Sequence, residues 1–388
     1  MNKEKDDKKK YTNKRWIACP IEEEYFGQDR KMGKQSRKEA TAKDRSKYKK
    51  TDREKFQKSE ELHKNIKLSK DQFLSGTVLS IKPEGIMVEC DGKMFTCILR
   101  GLLKKEKRQE KNLVTVGDIV LFETNNPGEG VIAHIEPRKT ILSRADNLSR
   151  RKEQLIASNI DQVIITGSVV SPALKPSLLD RYIIAAQKGG MEPLIVINKI
   201  DLLVGGSKDE EFLAQENELY QETVRAYAET DHKVISVSLM TGQGIDELKA
   251  AMRGKSSVFS GQSGVGKSSL INVITGSRQK VGEMVDKTKK GSHTTSTTQL
   301  IPLEFGGWCV DTPGIKSFGV WDLKKEEVEQ YFSEIHACGS ECRFPDCSHR
   351  NETGCAVREA VEQGKLSLIR YLSYISLIES VSQEHLRR

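Results

Sequence analysis

From position 73 the chain alternates short apolar runs with turn residues. Runs at 76–81, 85–90, 93–99, 118–123 and 131–135 are broken by Asp91-Gly92, by Asn125-Asn126-Pro127-Gly128 and by similar breakers. Five short strands at this spacing predict a small closed barrel of the OB type. After Arg144 the period changes. Segments 162–166, 193–197, 234–238 and 257–260 read as buried strands, and 177–187, 210–228 and 245–252 as helices. Such alternation predicts a parallel sheet covered by helices on both faces, with ligands at the carboxyl ends of its strands. Beyond Asp322 come a cysteine-rich loop and two segments of helical period, 356–362 and 366–378. The expected organisation is a tail over 1–70, an OB-like β-barrel over 71–140, an α/β domain over 150–320 and a helical domain over 321–388.

Composition sharpens this picture at the N-terminus. The chain has 388 residues and a formal net charge of +8; the first 70 residues carry +10 and the remainder −2. Segment 34–70 is dominated by charged and hydroxyl residues, too poor in apolar surface to offset the entropy of ordering, so it reads as disordered or as a solitary helix when unbound. Trp16, Ile17, Tyr25 and Phe26 are either a docking spot or stray apolar residues of a tail. The loop Lys104-Lys105-Glu106-Lys107-Arg108 either touches phosphate or is simply solvated. The apolar runs fall far short of the roughly 20 residues that span a bilayer, and Met1-Asn2-Lys3-Glu4-Lys5 opens into charge. The expectation is a cytoplasmic protein that does not engage membranes.

The strongest chemical signal is Gly261-Gln262-Ser263-Gly264-Val265-Gly266-Lys267-Ser268, a G-x-x-x-x-G-K-[ST] motif between an expected strand and the helix-like segment that begins at Ser269. Its glycines let consecutive N–H groups converge on phosphate, aided by the helix N-terminus. Lys267 would reach the β- and γ-phosphates and the Ser268 hydroxyl would ligate Mg²⁺. A phosphate loop does not choose a base, but Asn198-Lys199-Ile200-Asp201 does. The Asp201 carboxylate can accept both the N1–H and the 2-amino group of guanine, donors that adenine lacks, while Asn198 meets another edge. Taken with Ser238 at the end of the next strand and the following Gly242-Gln243-Gly244, the pattern becomes specific for guanine.

Two further elements follow. Trp308-Cys309-Val310 leads into Asp311-Thr312-Pro313-Gly314, where Asp311 can hold Mg²⁺ through water and the Gly314 N–H can meet the γ-phosphate. Ahead of it, Gly291-Ser292-His293-Thr294-Thr295 is a hydroxyl-rich loop in which Thr295 offers Mg²⁺ a second oxygen. Loops of this kind are ordered by γ-phosphate and released on hydrolysis.

In most GTPases the phosphate loop comes first and the guanine-reading motif near the end; here the order is reversed, which describes a circular permutation. With a barrel in front and a cysteine cluster behind, the chain resembles the bacterial small-ribosomal-subunit-dependent GTPases of the RsgA family. The resemblance spans residues 71–388. It implies GTP hydrolysis to GDP stimulated by the small ribosomal subunit, late in that subunit's maturation, with binding near the decoding region of its rRNA, and a chain expected to act as a monomer. Two positions depart from common patterns. Ser292 stands where the family's Thr loop commonly has Arg, and Ile315 follows Asp311-Thr312-Pro313-Gly314 where many GTPases carry a water-orienting Gln. An aliphatic side chain cannot orient water, so intrinsic hydrolysis is expected to be slow. His293 either positions that water or is a loop-packing or RNA-facing histidine. Ile315 also leaves room for an rRNA-binding module that holds GTP as a structural ligand without turnover.

Cys342, Cys347, His349 and Cys355 supply three thiolates and one imidazole on a short loop, a set that suits one tetrahedral structural Zn²⁺ with no position open for chemistry. Neither a C-x-x-C pair nor an iron–sulfur spacing is present. The pattern resembles the family's zinc motif in full, which makes Cys338 a free or core thiol. Because Asp311-Thr312-Pro313-Gly314 runs straight toward this module, nucleotide state is expected to reposition it against RNA.

Overall fold

The computed structural model describes residues 73–100, 113–146, 149–204, 210–276, 298–311 and 323–386. The basic tail, the Lys104–Arg108 loop, the Thr loop with Ser292, His293 and Thr295, and the segment 312–322 with Gly314 and Ile315 lie outside these residues.

Five strands, β1 (Leu74–Lys82), β2 (Gly85–Cys90), β3 (Lys93–Leu99), β4 (Ile119–Asn126) and β5 (Glu129–Ile135), close in the order β1-β2-β3-β5-β4-β1. Only β3 and β5 pair in parallel. This is the expected small barrel. Period-two alternation turns Val78, Val88, Cys97, Val120, Phe122 and Ile132 inward to fill it. At its base Arg138 forks onto the fully buried Asp118 (2.7 and 3.0 Å), which also accepts from the Ser158 hydroxyl and the Thr115 N–H. A buried carboxylate is tolerated when its lone pairs are taken in this way.

A hairpin, β6 (Ile141–Asp146) and β7 (Ser149–Ser158), forms a separate two-stranded sheet that the apolar pattern did not announce. Polar and charged residues dominate its 143–154 segment. At its base Leu142, Leu155, Ile156, Ala157 and Ser158 are buried.

The main sheet contains β8 (Gln162–Ser168), β9 (Glu192–Asn198), β10 (Val234–Ser236), β11 (Ser256–Gly261), β12 (Gln299–Pro302) and β13 (Trp308–Asp311) in the order β10-β9-β8-β11-β13-β12. All neighbours are parallel except β12 with β13. The central β8 is buried at every position, as a strand covered on both faces must be. Alternate residues serve opposite layers. Val163, Ile165, Ile195 and Ile197 pack under α1 (Pro176–Lys188) and α2 (Glu210–Ala228). Ile164, Leu194, Val196 and Phe259 pack under α3 (Ile245–Met252) and α4 (Lys267–Thr275). One bridge, Ser80 to Gln299, joins β12 to the barrel. The buried thiols Cys97 and Cys309 are pushed up by burial to about 11 and about 12, so they are inert core residues.

The C-terminal helices α5 (Lys325–Val328), α6 (Ser333–Gly339), α7 (Ala356–Glu362) and α8 (Leu368–Leu386) share a core of Val328, Phe332, Ile335, Val357, Tyr374 and Leu377. The last helix starts two residues later than its period suggested and runs past 378, because Val381 carries the apolar stripe another turn. Among the described residues, no helix is long and apolar enough to cross a membrane.

Candidate functional site

The ends of β11, β9, β10 and β13 bring the phosphate-loop and base-reading residues to one edge of the sheet. Gly261 closes β11 in register with Thr166 at φ 142°, where a Cβ would lie 2.1 Å from the Thr166 carbonyl oxygen. Only glycine fits. Gly264 and Gly266 take φ 85° and 97°, and Gly266 caps α4 without a side chain, so the first-turn N–H groups face the loop. Lys267 bends back so that its Nζ donates to the carbonyls of Gly261 and Gln262, both at 2.7 Å. Burial lowers its pKa to about 8. Ser263 and Ser268 are exposed at the mouth, Ser269 half-buried, and Val265 anchors the loop in the interior.

The base-reading motif sits directly against this loop. Asn198, buried at the end of β9, donates from Nδ2 to the Val265 carbonyl at 2.9 Å. A Cβ at Gly266 would meet that same amide nitrogen at 2.4 Å, so the second glycine requirement comes from a residue 68 positions away. Lys199 Nζ donates to the carbonyls of Gly264 (2.7 Å) and Ser171 (2.5 Å), and burial lowers its pKa below the ordinary lysine value. Its backbone is left-handed at φ 63°, a strained conformation for a side chain of this length. Beyond it, Asp201 Oδ1 accepts from the Ser238 hydroxyl at 2.5 Å, and Ser238 Oγ accepts in turn from the Met240 and Thr241 N–H groups at 3.2 Å each. That serine orients the carboxylate. Asp311 ends β13, buried and opposite Gln299 of β12, on the far side of the phosphate loop.

The second cluster lies in the loop between α6 and α7. Nδ1 or Sγ atoms of Cys342, Cys347, His349 and Cys355 all lie within 4.8 Å of one another. The Cys342 and Cys355 sulfurs are 3.9 Å apart, and each is 3.5 Å from His349 Nδ1. A tetrahedral ion with bonds of about 2.3 Å to sulfur and about 2.0 Å to nitrogen sets these separations near ~3.8 and ~3.5 Å. The four side chains therefore fit zinc. Glu329 Oε2 lies 3.5 Å from His349 Nε2, the nearest carboxylate to that ring but beyond hydrogen-bond contact, so this buried nitrogen has no hydrogen-bond partner among the described residues. Tyr371 on α8 donates its hydroxyl to the His349 carbonyl at 2.8 Å. His349 also has positive φ, at 60°. Cys338 stays outside the cluster and is half-buried against the helical core. The Ser171 carbonyl carries no sequence signature of its role.

Comparison with known proteins agrees with this geometry. The family model described as RsgA GTPase matches residues 135–321. A Chlorobaculum parvum protein named small ribosomal subunit biogenesis GTPase RsgA is 38% identical over 323 residues, covering 81% of this chain and all of that protein. The chain belongs to the RsgA family. A Haemophilus influenzae member of the same name is 35% identical over 342 residues, 84% of this chain and 92% of its own. Among solved structures, YjeQ from Thermotoga maritima aligns with a TM-score of 0.62 at 32% identity, covering 80% of this chain and 98% of that one. YloQ, described as a circularly permuted GTPase, aligns with the same TM-score at 27% identity, over 80% of this chain and 96% of its own. The present chain is a circularly permuted GTPase with an N-terminal five-stranded barrel and a C-terminal Cys/His cluster that can hold zinc.

Proposed function

We propose that this chain binds GTP and Mg²⁺ at the carboxyl edge of the sheet and hydrolyses GTP to GDP on the small ribosomal subunit, during late maturation of that subunit. The observation that carries the reading is the seating of Asn198 and Lys199 on phosphate-loop carbonyls, which makes the base reader and the phosphate cradle one pocket. The names of the relatives support the partner.

In this pocket Asp201, oriented by Ser238, pairs with the guanine N1–H and 2-amino group. The loop N–H groups of residues 263–269 and the Lys267 ammonium take the β- and γ-phosphates. Ser268 and Thr295 supply oxygens for Mg²⁺, with Asp311 acting through water. When held there, Mg²⁺ would supply positive charge against the charge developing on the phosphates. Water attacks the γ-phosphorus, the bond to the β–γ bridging oxygen breaks, and GDP and phosphate leave. The Gly314 N–H meets the γ-phosphate, and His293 is the candidate for positioning the water. Cys342, Cys347, His349 and Cys355 hold a structural zinc, and the basic tail and the barrel contact rRNA. The protein works in the cytoplasm as a monomer.

Multiple-turnover phosphate release with and without purified small subunits tests this. Stimulation on the order of 10³-fold or more is expected, as when a partner completes a GTPase site. An unstimulated rate would remove the hydrolytic role and leave nucleotide as a structural ligand.

A further inference from the structure

Arg370, on the first turn of α8, is only 1% exposed, and so is Asp180 on α1. Its Nη1 donates to Asp180 Oδ1, its Nε donates to Glu334 Oε1 of α6 at 2.6 Å, and its guanidinium lies 4.3 Å from the Phe332 ring centre and 5.2 Å from that of Tyr227. Tyr227 of α2 donates its hydroxyl to the same Asp180 oxygen at 2.7 Å. Four helices thus converge on one buried guanidinium. The packing is reciprocal: Ile184 of α1 enters the C-terminal core, and Ile369 of α8 enters the core of the main sheet. Taking an ion pair this deep out of water is expensive, and well-packed apolar residues of like volume serve stability as well or better. What the pair supplies beyond cohesion is a fixed geometry for α1.

That geometry matters because α1 begins beside the pocket. Residues 169–175 leave the end of β8 and enter α1, whose first turn is closed by Leu178 and Leu179 N–H groups on the Lys175 carbonyl. Within this loop the Ser171 carbonyl takes Lys199 Nζ, and the Pro172 carbonyl takes the Ser168 hydroxyl at 2.5 Å. Pro172 Cδ also stands 3.6 Å from where a Gly264 Cβ would be. At the other end, Tyr371, the residue after Arg370, holds the His349 carbonyl.

We infer that Arg370 is a positioning residue for guanine-nucleotide binding: from the C-terminal helices it clamps α1 through Asp180, and α1 fixes the loop that holds Lys199 on the phosphate loop. The inference rests on the reading of this pocket as a nucleotide site.

The test measures release of a fluorescent GDP analogue from the full-length zinc-loaded chain. Arg370→Lys keeps the charge and loses the forked contact, and should speed release about tenfold, within the range that network residues exert on a distant site. A merely structural defect would act independently of Lys199; a positioning role acts through it. In a Lys199→Ala background, Arg370→Lys should therefore add little, and the double-mutant cycle should show coupling. Equal acceleration in both backgrounds, or none in either, would overturn the inference. Should Arg370→Lys fail to fold, Glu334→Gln loosens the clamp from its partly exposed side and is read in the same cycle, with an expected effect of about threefold. Failure of the unaltered chain to bind the analogue would instead remove the pocket itself.

Discussion

The phosphate loop and the metal-ligand loop hold their chemistry by different means. Around Gly261 and Gly266 the fixing contacts are strand register and backbone carbonyls, supplied by Thr166, Val265 and Gly264, and the side chains Asn198, Lys199 and Lys267 close onto those carbonyls. Among the described residues, no strand underlies the 342–355 loop. Its shape comes from four side chains that face one point, with Glu352 bridging the N–H groups of Ser348, Arg350 and Asn351. A site built from sheet register is indifferent to the order in which the chain visits the strands, which is why permutation leaves it whole. A site built from spacing along one loop is not.

The largest test of this contrast is Cys347→Ser, or chelation. Structural zinc in small modules contributes on the order of 10 kcal/mol of folding free energy. We expect metal analysis to show loss of bound zinc and calorimetry to show early melting of the C-terminal helices, while GDP still binds and leaves only as much faster as the Arg370 clamp dictates. Complete loss of GDP binding would make the two regions one cooperative unit.

Next is Asp201→Asn. A site whose buried polar groups are left mismatched rejects its ligand by about 10⁴-fold. Titration should show GTP weakened on that order and xanthosine triphosphate strengthened, because an amide can donate to the 2-oxo group where a carboxylate cannot.

Smaller again is the pH effect at Lys267. Its pKa in the folded chain is about 8, below the ordinary 10.5, so it is charged below pH 8 and loses charge above it. Phosphate prefers the charged form, so nucleotide affinity should fall as pH rises through 8, by up to about tenfold per pH unit. Folding stability without nucleotide moves the other way. Between pH 8 and 10.5 the unfolded chain binds more protons at this site, so its contribution to stability rises with pH. Lys267→Arg, charged throughout, should flatten the affinity profile measured by equilibrium titration.

The smallest expected effect is at Lys188 and Glu327, an ion pair at 3.4 Å that also joins α1 to the C-terminal helices but stands in solvent. Lys188→Ala should move the thermal midpoint by no more than about a degree. A shift of several degrees would show that burial does not separate this contact from the Arg370 clamp.

These regions also differ in how far the sequence announces them. Helices 210–228, 245–252 and 356–362 follow the apolar period residue for residue, and the barrel strands stand where alternation and turn residues put them. The hairpin 141–158 escapes because polar and charged residues dominate its 143–154 segment, and β12 because four residues ending in proline leave no period to read. Within the pocket, motif chemistry brings Asn198, Asp201, Ser238 and Lys267 together, whereas the Ser171 contact depends on a backbone carbonyl that any residue could provide. Asp180 and Arg370 stand 190 positions apart, and each alone reads as an ordinary surface charge. Long-range pairing of this kind has no local period. His293, Thr295 and Gly314 lie outside the described residues.

The single bridge between Ser80 and Gln299 has a bearing on how the protein can be dissected. It pairs the first residue of β12, the edge strand at one flank of the main sheet, whose other flank ends in a strand of three residues. Unpaired strand flanks are templates for adhesion between molecules. A fragment lacking the barrel would bare Gln299 on that flank, so a separated nucleotide domain is expected to adhere to its own copies more readily than the whole chain does.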